Sequence, residues 1–238
     1  IESYQKAMAL EPNNPEIMVE LAKIQVYSSN TLTTDAERRQ RLAEALEVID
    51  QAKAIAPNNA DVLATRAFVL NWNANPILAG DRAVDIQNEA ESEALMALQL
   101  DGRNPLALAY YTEILTDQYK WVQAQQYMAQ AMEYGPQYMD VHRVQAYLYE
   151  VLGEYNLAIK EYKKAIEIKQ QKIDEVRESI LQHGIGSPQG QRALSFYDIL
   201  RKELEHIENA YNKKVKTEQI SQDSFIQLNR EMLSSEHA

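Results

Sequence analysis

The amino-acid sequence predicts an all-α fold in which antiparallel helix pairs stack into an α-α superhelix. Its 238 residues include only seven glycines and seven prolines, too few for the many turns of a β-sandwich or barrel. A similar short loop recurs along the chain at intervals of 45, 45 and 34 residues. Because repeats of this length typify stacked supersecondary units, these observations favour a helical solenoid.

The recurring loops mark where one helix ends and the next begins. Their anchors are Pro12, Pro57, Gly102 and Pro136. After the first three anchors, Pro15, Asp61 and Pro105 provide the proline or acidic residue that suits a first helical turn. Each anchor is therefore expected to separate two helices.

A stripe of small and large residues precedes each of the later loops, at twelve, eight and five positions before the anchor. Its members are Ala45, Ile49 and Ala52; Ala90, Ala94 and Ala97; Ala124, Met128 and Ala131; and, counted back from Gln170, Ala158, Tyr162 and Ala165. Spacings of four and three place each set on one helical face, where small residues let two helices approach closely. The stripes predict the packed faces of the second helices.

A helix–turn–helix unit of 34 residues with this stripe and a following proline resembles the tetratricopeptide repeat. The resemblance covers roughly residues 1–170 and implies that the α-α superhelix is right-handed. It predicts a half repeat, two extended repeats, two standard repeats and a C-terminal segment of capping helices, at residues 1–12, 13–57, 58–102, 103–136, 137–170 and 171–238 respectively.

The extended repeats carry eleven additional residues, which make about three helical turns and so lengthen a helix without rotating its buried face. In the first of them a polar turn at residues 28–33 precedes Thr34 and Glu37, which have the spacing of a capping box. In the second, residues 73–81 are expected to form the corresponding turn.

Both ends depart from the repeat. Residues 1–11 resemble the latter half of a second helix, so we expect a piece of a longer array whose N-terminal edge self-associates weakly. At the other end, a helix is predicted to run from Leu157 to about Gln182, and the glycines of residues 183–190 to break it. Two further helices, at about 191–215 and 218–233, are predicted to form a hairpin that caps the last repeat.

The charge of the chain bears on the class of partner. Thirty-five acidic residues against 24 basic ones give a net charge of −11, and residues 1–100 carry 15 acidic and 8 basic residues. Phosphate backbones and anionic lipid are therefore poor partners, so we expect no nucleic acid and no membrane insertion. The acidic surface is either a solvated face that aids solubility or a landing face for a basic partner.

The sequence offers little that suggests catalysis. The chain has no cysteine, its histidines lack metal-ligand spacing, and we expect neither a metal site nor a cofactor. His142 stands where the repeat family packs a large residue, so we interpret it as a buried, hydrogen-bonded histidine. No catalytic residue is predicted.

The resemblance implies a binding face. In this family the first helices line the concave surface, with residues four, seven, eleven, fourteen and fifteen past an anchor pointing into it. The basic and asparagine clamp by which one class of these proteins holds chaperone tails is missing, because Val19, Ala64 and Ala109 occupy its basic slots. The residues expected to bind a partner are Val19, Lys23, Tyr27, Phe68, Asn71, Trp72, Glu113, Arg143 and Tyr147.

Packing is a competing explanation for Phe68 and Tyr147, and for the ten of fourteen tyrosines that lie between Tyr110 and Tyr162. The function expected is a scaffold that binds a protein or peptide on its concave surface, with no catalysis of its own. One alternative is a regulatory or substrate-docking domain of a larger enzyme or membrane-anchored assembly. A structural role through self-association is another.

Overall fold

A computed structural model describes residues 11–191 and, beyond them, residues 193, 194, 197, 200, 201, 204, 205, 207–209, 211–217 and 219. Most of the predicted half repeat and of the last predicted helix, at residues 1–10 and 220–233, lies outside the described residues. The expected self-association edge lies there as well.

Every described residue from 188 onward is helical, and nine α-helices precede this segment, between residues 11 and 183. They are α1 (Pro15–Ser29), α2 (Asp35–Ile55), α3 (Ala60–Asn73), α4 (Pro76–Ala79), α5 (Ala83–Leu100), α6 (Pro105–Asp117), α7 (Trp121–Tyr134), α8 (Met139–Val151) and α9 (Tyr155–His183). A single 3₁₀ turn, Gly80–Arg82, joins α4 to α5. The described part of the chain contains no strand, and the predicted all-α fold is confirmed.

The helices pair into four hairpins. α1 packs on α2, α3 on α5, α6 on α7, and α8 on α9. The first helices of the hairpins, α1, α3, α6 and α8, also pack on one another in succession. This stacking of first helices creates a continuous face, which we call the first-helix face.

Asparagines of the recurring loops start three of the first helices. The side-chain oxygens of Asn14, Asn59 and Asn104 accept hydrogen bonds from backbone N–H groups of the first turn of α1, α3 and α6. At the start of α2, Thr34 and Glu37 exchange the two hydrogen bonds of a capping box, as predicted. Each cap satisfies donors that a helix leaves unpaired at its N-terminus.

The small-and-large stripes lie in the helix contacts. All seven alanines of the stripes on α2, α5 and α7 are fully buried, as are Ala158 and Ala165 on α9. The small residues ten past each anchor, Ala22, Ala67, Thr112 and Ala146, are fully buried too. Every first helix therefore keeps the same register relative to its anchor. This holds for α3 and α8 as well, although Arg66 and Gln145 stand where the repeat family has a large apolar residue.

The turn in the second extended repeat differs in detail from the prediction. Residues 73–81 contain the short helix α4, whose first turn is capped by Asn75, before α5 begins at Ala83.

At the C-terminal end α9 runs past Gln170 to His183 as predicted, and Gly184 ends it at a φ of 74°. Leu200 and Leu204 then pack on Ile173 of α9.

The turn between α6 and α7 holds a residue in a strained backbone conformation. Tyr119 has a φ of 60°, whereas 34 residues later Gly153 takes the same place in the α8–α9 turn with a φ of 80°. The tyrosine is 78% exposed, and its ring lies against that of Trp121 at 6.3 Å. A left-handed conformation costs a side chain roughly 1–2 kcal/mol, so the fold bears this cost at Tyr119.

Relief of the backbone strain at this turn should therefore stabilise the fold. Tyr119→Gly and Tyr119→Ala both delete the ring, but only glycine relieves the strain, so the glycine variant should be more stable by about 1 kcal/mol. Urea unfolding measures the difference. The control is Ala129 on the exposed side of α7, where glycine should instead be about 1 kcal/mol less stable than alanine. Equal stability of the two Tyr119 variants would contradict the account.

Candidate binding face

The structure brings eight of the nine predicted binding residues together in one cluster on the first-helix face. α1 contributes Lys23 and Tyr27, α3 contributes Phe68, Asn71 and Trp72, and α6 and α8 contribute Glu113, Arg143 and Tyr147. Two acidic residues outside the predicted set, Asp117 and Asp140, complete it. Val19 is the exception, because it lies buried in the apolar core and makes no polar contact with the cluster.

Arg143 lies at the centre of the cluster. Its Nη2 donates to Oε2 of Glu113 on α6 at 2.7 Å, and its guanidinium lies over the rings of Tyr27 and Phe68 at 5.6 and 5.2 Å. The other carboxylate oxygen of Glu113 accepts a hydrogen bond from Nε1 of Trp72 at 3.1 Å. Arg143 and Glu113 are each only 5% exposed, so this is a buried ion pair that joins three first helices.

A second buried carboxylate, Asp140, links α8 to α1. It pairs with Nζ of Lys23 at 3.1 Å and accepts a hydrogen bond from the hydroxyl of Tyr27. Burial would raise the pKa of Asp140, but the positive charges of Lys23 and Arg143 and the Tyr27 hydrogen bond outweigh it and hold the pKa well below its usual range. Asp140 is therefore ionised at neutral pH.

Asp117 lies one helical turn after Glu113, and its pKa is shifted in the opposite direction from that of Asp140. Its two oxygens accept hydrogen bonds from Nδ2 of Asn71 at 2.6 Å and from the hydroxyl of Tyr147 at 2.5 Å. Burial and the neighbouring Glu113 carboxylate raise the pKa of Asp117 to about 6, although these hydrogen bonds act to lower it. The first-helix face thus contains a carboxyl group whose pKa is raised to about 6.

One group of contacting rings on the face contains Tyr27, Phe68, Trp72 and Tyr110, of which Phe68 and Tyr110 are stacked. Phe68 lies parallel to Tyr110 with ring centroids 4.6 Å apart, and it contacts Tyr27 at 5.5 Å and Trp72 at 5.9 Å. Phe68, Tyr27 and Tyr110 are buried in the core. Trp72 and Tyr147 are half-buried, so among the predicted aromatic anchors these two present side-chain surface.

Sequence reasoning left Asp117 and Asp140 out of the predicted set, although they stand fifteen and four residues past an anchor, at positions that the family resemblance assigns to the concave surface. Their importance is visible only in three dimensions, because each is bonded to side chains at least 30 residues away. In the sequence alone, these two aspartates cannot be distinguished from carboxylates on the solvated side of a helix.

Among the described residues, no group of three or more possible ligands is close enough to hold a metal ion. The two ring nitrogens of His142 bond to Glu161 at 2.7 Å and to the carbonyl of Pro136 at 2.8 Å, which matches a hydrogen-bonded packing role. Among the described helices, none combines the length and the apolar character needed to span a membrane.

No protein-family model matches the sequence, and no curated protein matches it. The solved structures similar to it include TTC0263, a thermophilic TPR protein in Thermus thermophilus, with 18% identity over 73% of this chain and 84% of that one and a TM-score of 0.52. Another is YrrB, a TPR protein with an unusual peptide-binding site, with 13% identity over 91% of this chain and 97% of that one and a TM-score of 0.37. A third is MamA from Desulfovibrio magneticus, with 14% identity over 76% of this chain and 94% of that one and a TM-score of 0.36.

The fold is that of the tetratricopeptide repeat proteins. TTC0263 matches over most of both chains, and the helix pairs, the stripes and the loops of this chain follow the repeat pattern. The resemblance that the sequence predicts is thereby confirmed at the level of the fold.

Asp117 makes the stability of the fold depend on pH. Since its pKa is raised from 3.8 to about 6, the folded state keeps the proton while the unfolded chain releases it, so the free energy of unfolding should fall between about pH 4 and 6. The loss amounts to about 3 kcal/mol at most. Asp117→Asn should remove this component of the pH dependence in urea unfolding curves.

Asp140→Asn is the matched control, because the same isosteric change there removes a carboxylate that two cations neutralise. It should destabilise the protein at neutral pH, and the destabilisation should shrink as the pH falls toward the low pKa of Asp140. If Asp117→Asn left the pH profile between pH 4 and 7 unchanged, the assignment of the titrating group to Asp117 would be wrong.

Proposed function

We propose that the protein is a non-enzymatic scaffold that binds a peptide or helix of a partner protein on its first-helix face. The observation that carries this proposal is the position of Trp72 and Tyr147. Both are half-buried, and their polar atoms bond inward to Glu113 and Asp117, one turn apart on α6. Aromatic side chains fixed in this way present apolar area at little entropic cost, which is a property of binding hot spots.

The buried residues of the predicted set have a supporting role in this proposal. Arg143, Glu113 and Lys23 are nearly inaccessible, and Phe68 is 1% exposed. They fix the spacing of the first helices and hold the two half-buried aromatics in place. We therefore assign partner contact to Trp72 and Tyr147, and positioning to the ion pairs beneath them.

The charge around the face favours a partner with positive charge. Glu16 is exposed in the first turn of α1, and Asp61 is exposed in the first turn of α3. The carboxylate of Asp61 also accepts a hydrogen bond from Asn104 at 2.7 Å, so a substitution there would disturb the loop before α6. Glu16 is the better position at which to test charge.

Trp72→Ala should weaken partner binding at least roughly thirtyfold, since truncation of a hot-spot aromatic commonly costs about 2 kcal/mol or more. Partners are recovered by affinity purification with the full chain as bait, and titration calorimetry then gives Kd. Trp121→Ala is the matched control, because Trp121 is the other tryptophan and is exposed on α7, away from the first-helix face. Glu16→Lys should weaken binding less, with an effect that fades as salt rises.

The opposite pattern would refute the proposal. If partners bind the Trp72→Ala and Tyr147→Ala variants as tightly as the parent, while Trp121→Ala abolishes binding, the functional surface is not the first-helix face. Circular dichroism of each variant distinguishes loss of binding from loss of fold, because an unfolded variant loses its helical signal.

A further inference from the structure

A cleft lies on the outer side of the solenoid, where the second helices of the two extended repeats stand apart. It is bounded by α2 and α5, with α3 between them, and has a volume of about 780 Å³. None of the nine predicted binding residues lines it. The cleft is therefore a surface distinct from the first-helix face.

The shape of the cleft follows the pattern of α2. The residues of α2 that line it run from Ala43 through Leu46 and Asp50 to Ala54, at spacings of three and four, so that they form one stripe. A stripe of this length covers about three helical turns, or roughly 16 Å. Leu70 of α3 forms the floor, and Ile86 of α5 lies in the opposite wall. The interior is thus an apolar slot of the length of a short helix.

The walls of the cleft are held at a fixed distance. Arg66 of α3 donates from Nε to Asp50 on α2 and from Nη2 to Glu89 on α5, each at 2.7 Å, so that one guanidinium spans both walls. Near the other end, Nδ2 of Asn73 donates to the carbonyl of Leu42 at 3.2 Å. A slot that is already open in the free protein costs little reorganisation to fill.

The charges at the rim define the chemistry of the occupant. Glu47 is exposed at the rim, and among the described residues it makes no ion pair with a Lys or Arg. Asp50 and Glu89 keep about half of their side-chain surface exposed although they pair with Arg66. The α5 helix carries four acidic residues and no lysine or arginine, and Arg82 adds one positive charge at one end of the cleft. The rim is predominantly acidic.

We propose that this cleft binds an amphipathic helical segment of a partner protein, with apolar residues on one face and lysine or arginine beside them. The apolar face would fill the slot over Leu46 and Leu70, and the basic residues would lie against Glu47 and Glu89. A second copy of this chain fits poorly, because it carries a net charge of −11. Residues 220–238 of the chain itself carry one arginine and three acidic residues, so they do not supply the required positive charge either.

A displayed library of random peptides, roughly 16 residues long, tests the proposal. The library is selected on the intact protein after depletion on the Ala43→Trp variant, whose added indole fills the slot from an exposed position. Peptides that survive should contain lysine or arginine and apolar residues at helical spacing. Fluorescence anisotropy of the synthesised peptides then gives Kd for each variant.

The variants separate the cleft from the rest of the surface. Ala43→Trp, and independently Ala54→Trp, should weaken the selected peptides at least about tenfold. Glu47→Lys should weaken them severalfold, and less at high salt. The matched controls, Ala129→Trp and Glu133→Lys, change equally exposed residues of α7 and should have no effect. Trp72→Ala should also leave these peptides bound, since Trp72 does not line the cleft.

Three results would overturn the proposal. One is that no selected peptide depends on Ala43 or Ala54 for binding. Another is that the cleft-dependent peptides lack basic residues or helical spacing. The third is a dimer of the parent protein in analytical ultracentrifugation that Ala43→Trp dissociates, because the cleft would then be an interface between copies of this chain.

Discussion

The buried ion pair between Arg143 and Glu113 is the interaction on which the arrangement of the first-helix face depends. It joins α8 to α6, and Glu113 in turn accepts the indole hydrogen of Trp72 on α3. Burial of two charges costs several kcal/mol, and that cost is offset only where the hydrogen-bond geometry is good. Because a displaced first helix would leave a charge buried and unpaired, the pair specifies one spacing of the helices more than it adds stability.

The close approach of the helices makes this network possible. Fully buried alanines on α2, α5, α7 and α9 let each second helix lie tightly against its neighbours, which brings the first helices of successive repeats within side-chain reach. A larger residue at one of these alanines would overpack the contact between the helices. The buried alanines of the repeat pattern and the buried ion pair therefore depend on the same close packing of the helices.

The sequence predicts the fold well because repetition reveals which residues pack. The loops, the stripes and the capping box at Thr34 all depend on local spacing, and the structure confirms them. The face is harder to predict, since Lys23 and Asp140, or Trp72 and Glu113, meet only after the helices have stacked. A pattern that places Phe68 on the correct face also cannot distinguish a buried ring from an exposed one. Short helices such as α4 escape prediction because an Asn-Pro turn has the same local signals.

A double-mutant cycle on Arg143 and Glu113 tests most directly whether these charges lock the first helices together. In urea unfolding at neutral pH, Glu113→Gln and Arg143→Met should each cost roughly 3–5 kcal/mol. The first leaves Arg143 with only its longer contact to Asp140, at 3.6 Å, and the second removes the cation that pairs with the buried Glu113. The double variant should cost less than the sum of the two by at least about 2 kcal/mol. Costs that add to within about 0.5 kcal/mol would show that the two side chains are energetically independent, and would contradict the account.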